Sequence, residues 1–375
     1  MVTKFRSAVN NPQIKKLPPG SACQIGLNWQ SRGVTEFEIE RRNFMKRTIF
    51  WLMIITLVFT GMANAKTYRI GTHHWIGFSP NDVAYTKGFW KSQGLDVELI
   101  NFTSERDACN ALVNKRIDIA YQMMGTWIGF YMEGLPITLV AESDWSHGGD
   151  KVIIKKELDH INKLKGQAFG VYIENPAVLF FLHKYLDSNG LKLPDVRIVG
   201  GLEAKALADS FIFNRLKGLV LYDPQALRCE KEGNGRVVGT TASYPGCMPE
   251  GAAVRTDMLK QIPQEDFSKV FKGWSDTVTW ISNTKNWKEY REILNSKTFA
   301  REPPFSEEDI KAMYEGVRLH DRKMLWERNK DGGGLYVWLE ELRIMLKESG
   351  RLAKDFEPDK IFDNTAITEF LKTDR

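Results

Sequence analysis

The chain has 375 residues, 43% of them hydrophobic and 26% charged, with a formal net charge of +5. Nine of its 52 Lys and Arg and three of its 47 Asp and Glu precede residue 66, so 43 positive groups face 44 negative ones beyond that point. The basic excess therefore belongs to the N-terminal segment, and with no Lys/Arg run in the remainder a nucleic-acid footprint is excluded.

Met45 to Ala65 reads as a secretory leader. Lys46 and Arg47 form its positive start, Ile49 to Thr60 its apolar run, and Ala63-Asn64-Ala65 a small-x-small cleavage site. The apolar run falls short of the ~20 residues of a spanning helix. Glu40 to Lys46 resembles a twin-arginine export signal; the favoured alternative makes Met45 the true start and residues 1–44 an upstream extension. Either way residues 1–65 are set aside as leader, and the protein is expected to act outside the cytoplasm, in the periplasm.

Beyond the leader, strands and helices alternate. Tyr68 to Gly71 reads as a strand, Ser79-Pro80 opens a helix to about Gln93, and Leu95 to Phe102 alternates as a second strand. Ser104 can cap a helix to Asn114; Ile117 to Ala120, Thr126 to Met132 and Ile137 to Ala141 follow as strand, helix and strand. A second such set starts after Val152-Ile153-Ile154. It takes Ala168 to Tyr172, a helix over Pro176 to Ser188, Val196 to Val199, a helix over Glu203 to Phe211, and Leu219 to Tyr222. This order predicts an α/β protein with two similar lobes. From Pro263 the pattern turns helical: Phe267, Phe271, Trp274 and Val278 share a face, and Ser306 to Asp309 form a near capping box. Gly332-Gly333-Gly334 reads as a turn, because no strand precedes it to make a phosphate loop.

Cys109, Cys229 and Cys247 follow the leader. A Cys229 to Cys247 bridge is open to an exported chain, with Cys109 left over as a small buried residue. No Cys or His spacing suits a metal, and neither a metal site nor a cofactor is expected.

Three groups fall at the C-terminal ends of predicted strands, where open α/β sheets place ligands. The first, His73 to Pro80, offers Trp75 and Phe78 as stacking or enclosing surfaces, with His73 and His74 read as loop or packing residues. The second, Ser143 to Asp150, reads as a polar loop carrying Asp144, Trp145, His147 and Asp150. The third gathers Tyr172, Glu174 and Asn175 after one strand and Tyr222 and Asp223 after another; Asp223 reads equally well as a helix cap. Met123, Met124, Trp127, Phe130 and Tyr131 divide between pocket wall and core, with Trp127 assigned to the wall. No nucleophile elbow, paired Cys and His, or dinucleotide fingerprint appears, so these residues are read as ligand-binding rather than catalytic.

Several of these stretches carry a family likeness. Tyr68 to Gly71, Trp75 to Pro80, Ala84 to Trp90, Gly94 to Val97, Ile117 to Ala120, the Asp144 to Asp150 segment and Tyr222-Asp223-Pro224 resemble the nitrate/sulfonate/taurine-type solute-binding proteins, a superfamily that includes thiamine-precursor binders. The resemblance covers roughly Tyr68 to Val254. It implies a type II periplasmic binding fold, with lobes over 66–153 and 154–248 and a return over 249–375 that carries the helical C-terminal part. It places the hinge crossovers near Val152 to Lys156 and Gly246 to Val254. It further implies a monomeric, non-enzymatic component of an ABC importer that captures a small nitrogen-containing or sulfonate-type metabolite between its lobes and delivers it to an inner-membrane permease. The cysteine-rich segment of the yeast-type pyrimidine synthases is absent, and no basic residue stands inside the three groups. Aromatic rings with Asp144, Asp150, Glu174 and Asp223 suit a nitrogen donor or cationic end better than a bare anion. A sensory module for a membrane receptor and a pyrimidine-synthase-like enzyme are the alternatives.

Overall fold

The computed structural model describes residues 66–172 and 175–373, together with Arg41 and Phe44. The leader read over 45–65, its cleavage site and Glu174 lie outside the described residues. Among the described residues eleven strands form two sheets.

The first sheet has the order β11-β4-β10-β3-β1-β2, from β1 (Tyr68–His73), β2 (Val97–Phe102), β3 (Ile119–Met123), β4 (Ile137–Ser146), β10 (Pro249–Arg255) and β11 (Val317–Leu319). The second has the order β7-β6-β8-β5-β9, from β5 (Asp150–Lys155), β6 (Ala168–Tyr172), β7 (Arg197–Leu202), β8 (Gly218–Tyr222) and β9 (Gly235–Thr240). Each sheet has a parallel centre, β2-β1-β3 in one and β7-β6-β8 in the other. Helical crossovers join those parallel strands, as parallel pairing requires. In the first sheet they include α1 (Ser79–Lys87) and α2 (Glu105–Val113), the latter capped by Ser104 Oγ, which accepts from Asp107 N at 3.3 Å. In the second they are α4 (Pro176–Ser188) and α5 (Ala204–Ile212); α3 (Met124–Met132) follows β3 directly, and α6 (Gln225–Glu232) follows β8.

The chain passes between the sheets twice, over 147–149 and over 241–248. Val152 to Lys156, where the first crossing was expected, falls mostly within β5, and Pro249 to Val254 belongs to β10. The largest departure from the sequence reading is β4. The polarity of Ser143 to Ser146 predicts a loop, yet these residues extend the strand. β10 pairs along one edge of β4 and β11 along the other, Val317 opposite Ser146 and Leu319 opposite Asp144. Ladder hydrogen bonds on both edges outweigh a composition that by itself favours a turn.

Beyond β10 the chain is helical apart from β11. α7 (Gln264–Ser282) lays Trp274 flat on Tyr121 of β3, with ring centroids 5.3 Å apart and planes 4° from parallel. α8 (Trp287–Ile293) follows. α9 (Glu307–Glu315) carries the expected capping box: Ser306 Oγ accepts from Asp309 N, and Asp309 Oδ2 from Ser306 N, each at 3.1 Å. α10 (Arg322–Asn329), α11 (Gly334–Glu348) and α12 (Thr365–Thr373) complete the fold; Gly332 and Gly333 precede α11, and Gly334, expected in the same turn, is instead its first residue. α11 packs on α4, where Trp338 meets Phe180 edge-on and donates from Nε1 to Cys247 O at 2.9 Å. Cys109, Cys229 and Cys247 are all free and buried, so the Cys229 to Cys247 bridge does not form; burial pushes the Cys229 thiol up to about 12.

One buried group ties the C-terminal helices to the first sheet. Glu142 Oε1 of β4 lies 3.0 Å from His320 Nε2 and accepts from Arg328 Nε at 2.7 Å. Asn329 clasps the Glu142 backbone, accepting from its N–H at 2.7 Å and donating to its carbonyl at 2.8 Å. Burial opposes ionisation of Glu142, but the charges and hydrogen bonds of Arg328 and His320 outweigh it and lower its pKa. Removing one member of such a buried pair strands the other charge. Glu142→Ala is therefore expected to destabilise the protein by about 3–5 kcal/mol, read as a lower urea midpoint at unchanged slope; a midpoint within error of the parent would show that this contact does not anchor the C-terminal helices.

Candidate functional site

Strand register assembles the site. In the first sheet β10 runs between β3 and β4 and sets Glu250 opposite Met123 on one side and Asp144 on the other. In the second sheet Asp150, at the start of β5, pairs with Tyr222 at the end of β8. Tyr172 ends the neighbouring strand β6, and its hydroxyl donates to Asp150 Oδ1 at 3.0 Å. Trp75 lies beyond β1 and donates from Nε1 to Glu250 Oε2 at 2.7 Å, fixing the first loop over β10. Gly77 is required by this closeness. A Cβ there would stand 2.3 Å from Asp144 Oδ2 and 2.7 Å from Glu250 Oε2.

These residues surround a hollow with two parts. An inner recess of about 40 Å³ is lined by Trp75, Phe78, Met123, Asp150 and Glu250, and it shares His73, His74, Glu105, Tyr172 and Tyr222 with an outer cleft of about 730 Å³. The cleft takes Thr126 and Phe130 from the first sheet's side, Asn175 and Glu203 from the second's, and Arg351 from the segment after α11. Its size suits a small organic molecule. Tyr222 meets both Trp75 and Tyr172 edge-on, at centroid distances of 6.2 Å and 5.3 Å, so these three rings share one space with the carboxyl groups of Glu105, Asp150 and Glu250.

Of the residues singled out from sequence, Trp75, Phe78, Asp150, Tyr172, Asn175 and Tyr222 line this hollow. Asp144 stands directly behind Glu250, fully buried. Trp127, assigned to the wall, is instead a core residue at 0% exposure, its indole directed at Gly251 O, because the strongly apolar helix α3 packs that face inward. Trp145 is buried against His320 and Arg328, and His147 lies in the first crossing, its backbone N–H donating to Gly316 O at 2.9 Å. Asp223 projects outward and pairs with Lys151. Glu105 and Glu250 were missed. Glu105 reads in sequence only as a first-turn helix acid, and the one signal for Glu250 is a charge inside a short apolar strand.

Burial dominates the electrostatics. It holds Glu250 well above the usual carboxylate range, helped by the charge of Asp144 and a hydrogen bond to it, and pushes Asp144 up to about 6. Two carboxyl groups in such contact retain one proton between them. Burial also raises Asp150, against the opposing hydrogen bonds from Ser146 and Tyr172, and pushes Glu105 up to about 7 against a hydrogen bond from Thr126. His73 is pulled down to about 3 by burial and the nearby His74, and so stays neutral. Across the hollow, Thr126 donates to Glu105 and accepts from Asn175 Nδ2 at 2.7 Å, linking the first sheet's side to the cap of α4.

An acid whose folded pKa exceeds its unfolded one costs nothing at a pH below both and its full penalty above both. Glu250→Gln is accordingly expected to raise the thermal midpoint at pH 8 and to change it little at pH 5. A fall at pH 8 would contradict the burden assigned to this carboxyl group.

A family model described as NMT1-like matches residues 61–295. YtlA of Bacillus subtilis, whose name describes a candidate binding protein, is 21% identical over 320 residues, covering 80% of this chain and 88% of the relative. A sulfonate-binding protein of the SsuA type from Methylobacillus flagellatus KT superposes with a TM-score of 0.60 at 17% identity, over 82% of this chain and 94% of that one. The periplasmic nitrate-binding protein NrtA from Synechocystis PCC 6803 does so with a TM-score of 0.61 at 16% identity, over 83% and 90%. At such identities the likeness is one of fold, and the two-sheet α/β architecture is that of periplasmic binding proteins.

Proposed function

The chain belongs to the NMT1-like family, and on that premise we propose that it is the exported substrate-binding component of an ABC importer, which captures a small nitrogen-containing metabolite and delivers it to a membrane permease. The observation that carries this reading is the hollow itself: about 730 Å³, bordered by both sheets, open to the C-terminal ends of β1, β3, β6 and β8 and floored by rings and carboxyl groups. Each sheet with its helices acts as a lobe, and 147–149 and 241–248 act as the hinge. Capture is binding without turnover. The relatives named for sulfonate and nitrate take anions; here the recess is lined by Glu105, Asp150 and Glu250, which repel an anion and accept hydrogen bonds from nitrogen. No helix among the described residues is long and apolar enough to cross a membrane, in keeping with a ligand carrier that meets its permease by diffusion.

Native mass spectrometry of the protein purified from its exported fraction tests the reading. A bound small molecule containing nitrogen, released unchanged on denaturation, is the expected result; a chemically altered product after incubation would turn the assignment towards an enzyme.

The closed arrangement depends on α3 meeting α4 without a side chain in between. A Cβ on Gly125 would stand 2.1 Å from Asn175 Oδ1 and 2.4 Å from Ala177 N. Gly125→Ala is expected to wedge the lobes apart, enlarging the radius of gyration in solution scattering and weakening ligand binding tenfold or more, although position 125 does not line the hollow. Unchanged scattering and affinity would show that these helices do not report closure.

A further inference from the structure

Among the described residues no Lys or Arg lines the inner recess, whose wall instead carries the carboxyl groups of Glu105, Asp150 and Glu250. Glu250 and Asp150 are each 3% exposed and Asp144 is 0% exposed, with Glu105 on the same wall. His73, His74 and Trp75 face them from β1 and its loop, Tyr172 and Tyr222 from β6 and β8, Thr126 from α3, and Glu142 with His320 from behind Asp144. His73 is neutral, His320 is engaged by Glu142, and Lys151 turns outward to Asp223. Arg106 and Arg351 border the outer cleft and not the recess.

Two features of the lining point to what completes this site. Glu105, Asp150 and Glu250 bring three carboxyl groups to one small recess, each able to accept hydrogen bonds from an occupant. Trp75, Tyr172 and Tyr222 enclose the same space, and aromatic faces attract cations. Resting on the capture reading above, we propose that the recess takes the protonated nitrogen head of an organic cation bearing N–H donors, an alkylammonium or amidinium, while the rest of the molecule occupies the outer cleft. The ligand is then the missing counter-ion. A recess of about 40 Å³ admits a head group and little else, and the adjoining cleft of about 730 Å³ accommodates the body. A quaternary ammonium would satisfy the rings but leave Glu250 and Asp150 without donors. An anion would add like charge to a buried acidic wall.

Calorimetric titration of the purified protein with 1,4-diaminobutane, choline, 4-aminopyrimidine, methanesulfonate and nitrate tests this. Diaminobutane is expected to bind, choline at least tenfold more weakly, and the two anions not at all. Diaminobutane binding at pH 7 should also release protons, seen as different heats in phosphate and Tris, because the entering cation displaces the proton held between Asp144 and Glu250. Glu250→Gln and Asp150→Asn should each weaken diaminobutane tenfold or more while the thermal midpoint stays at or above the parent's, which separates lost recognition from lost fold. Equal affinity for choline overturns the N–H requirement. Binding of 4-aminopyrimidine or methanesulfonate without diaminobutane overturns the cation assignment and leaves the capture reading standing. Binding of none of the five overturns the cation assignment as well, and the capture reading falls with it if nothing co-purifies.

Discussion

Antiparallel pairing of β10 with β3 and β4 puts Glu250 beside Asp144 within the first sheet, where both carboxyl groups are almost wholly buried, and the rest of the site is organised around that placement. Trp75 must reach Glu250 to supply a donor, and so the loop after β1 folds inward; Gly77 must lack a side chain for that loop to fit. The proton retained between Asp144 and Glu250 follows from the same contact. A buried polar cluster of this kind is held by the surrounding framework at a cost in stability, as functional sites commonly are.

A second acid in the same strand shows the opposite solution. Glu142 lies two residues from Asp144, equally buried, but the C-terminal segment brings it Arg328, His320 and the amide of Asn329. Glu142 is thereby structural and charged, whereas Asp144 and Glu250 receive only the neutral donors of Ser143 and Trp75 beside their contact with each other. One strand thus carries a carboxylate that fastens the C-terminal helices and a carboxyl group that backs the hollow, and the difference lies entirely in what packs against each.

Much of the frame was legible because its signals are local. The repeated order of strand and helix marked the parallel strands, Ser104 and Ser306 marked helix starts, and Trp75, Tyr172 and Tyr222 stood out as aromatic residues at strand ends. The remainder depends on partners distant in sequence. β4 continues through polar Ser143 to Ser146 only because residues 249–255 and 317–319 pair along its edges, and nothing within Ser143 to Asp150 announces them. Glu250 sits between Pro249 and Gly251-Ala252-Ala253, a stretch without a readable period, and its role comes wholly from its neighbours in the sheet. Trp127 failed for the converse reason: an aromatic residue near a strand end is equally at home in a core, and only the packing of α3 decides.

The first sheet is completed late. Its outer strand β11 is drawn from residues 317–319, and Phe362 bridges to Leu139 at its far margin, more than two hundred residues downstream. A chain synthesised or threaded from its N-terminus exposes that edge of β4 until residues 317–319 and Phe362 have emerged. Unpaired edges of that kind recruit other strands, and contacts spanning such separations form slowly. Residues 317–319 and Phe362 thus serve as an intramolecular cover for β4, and their arrival ends that exposure.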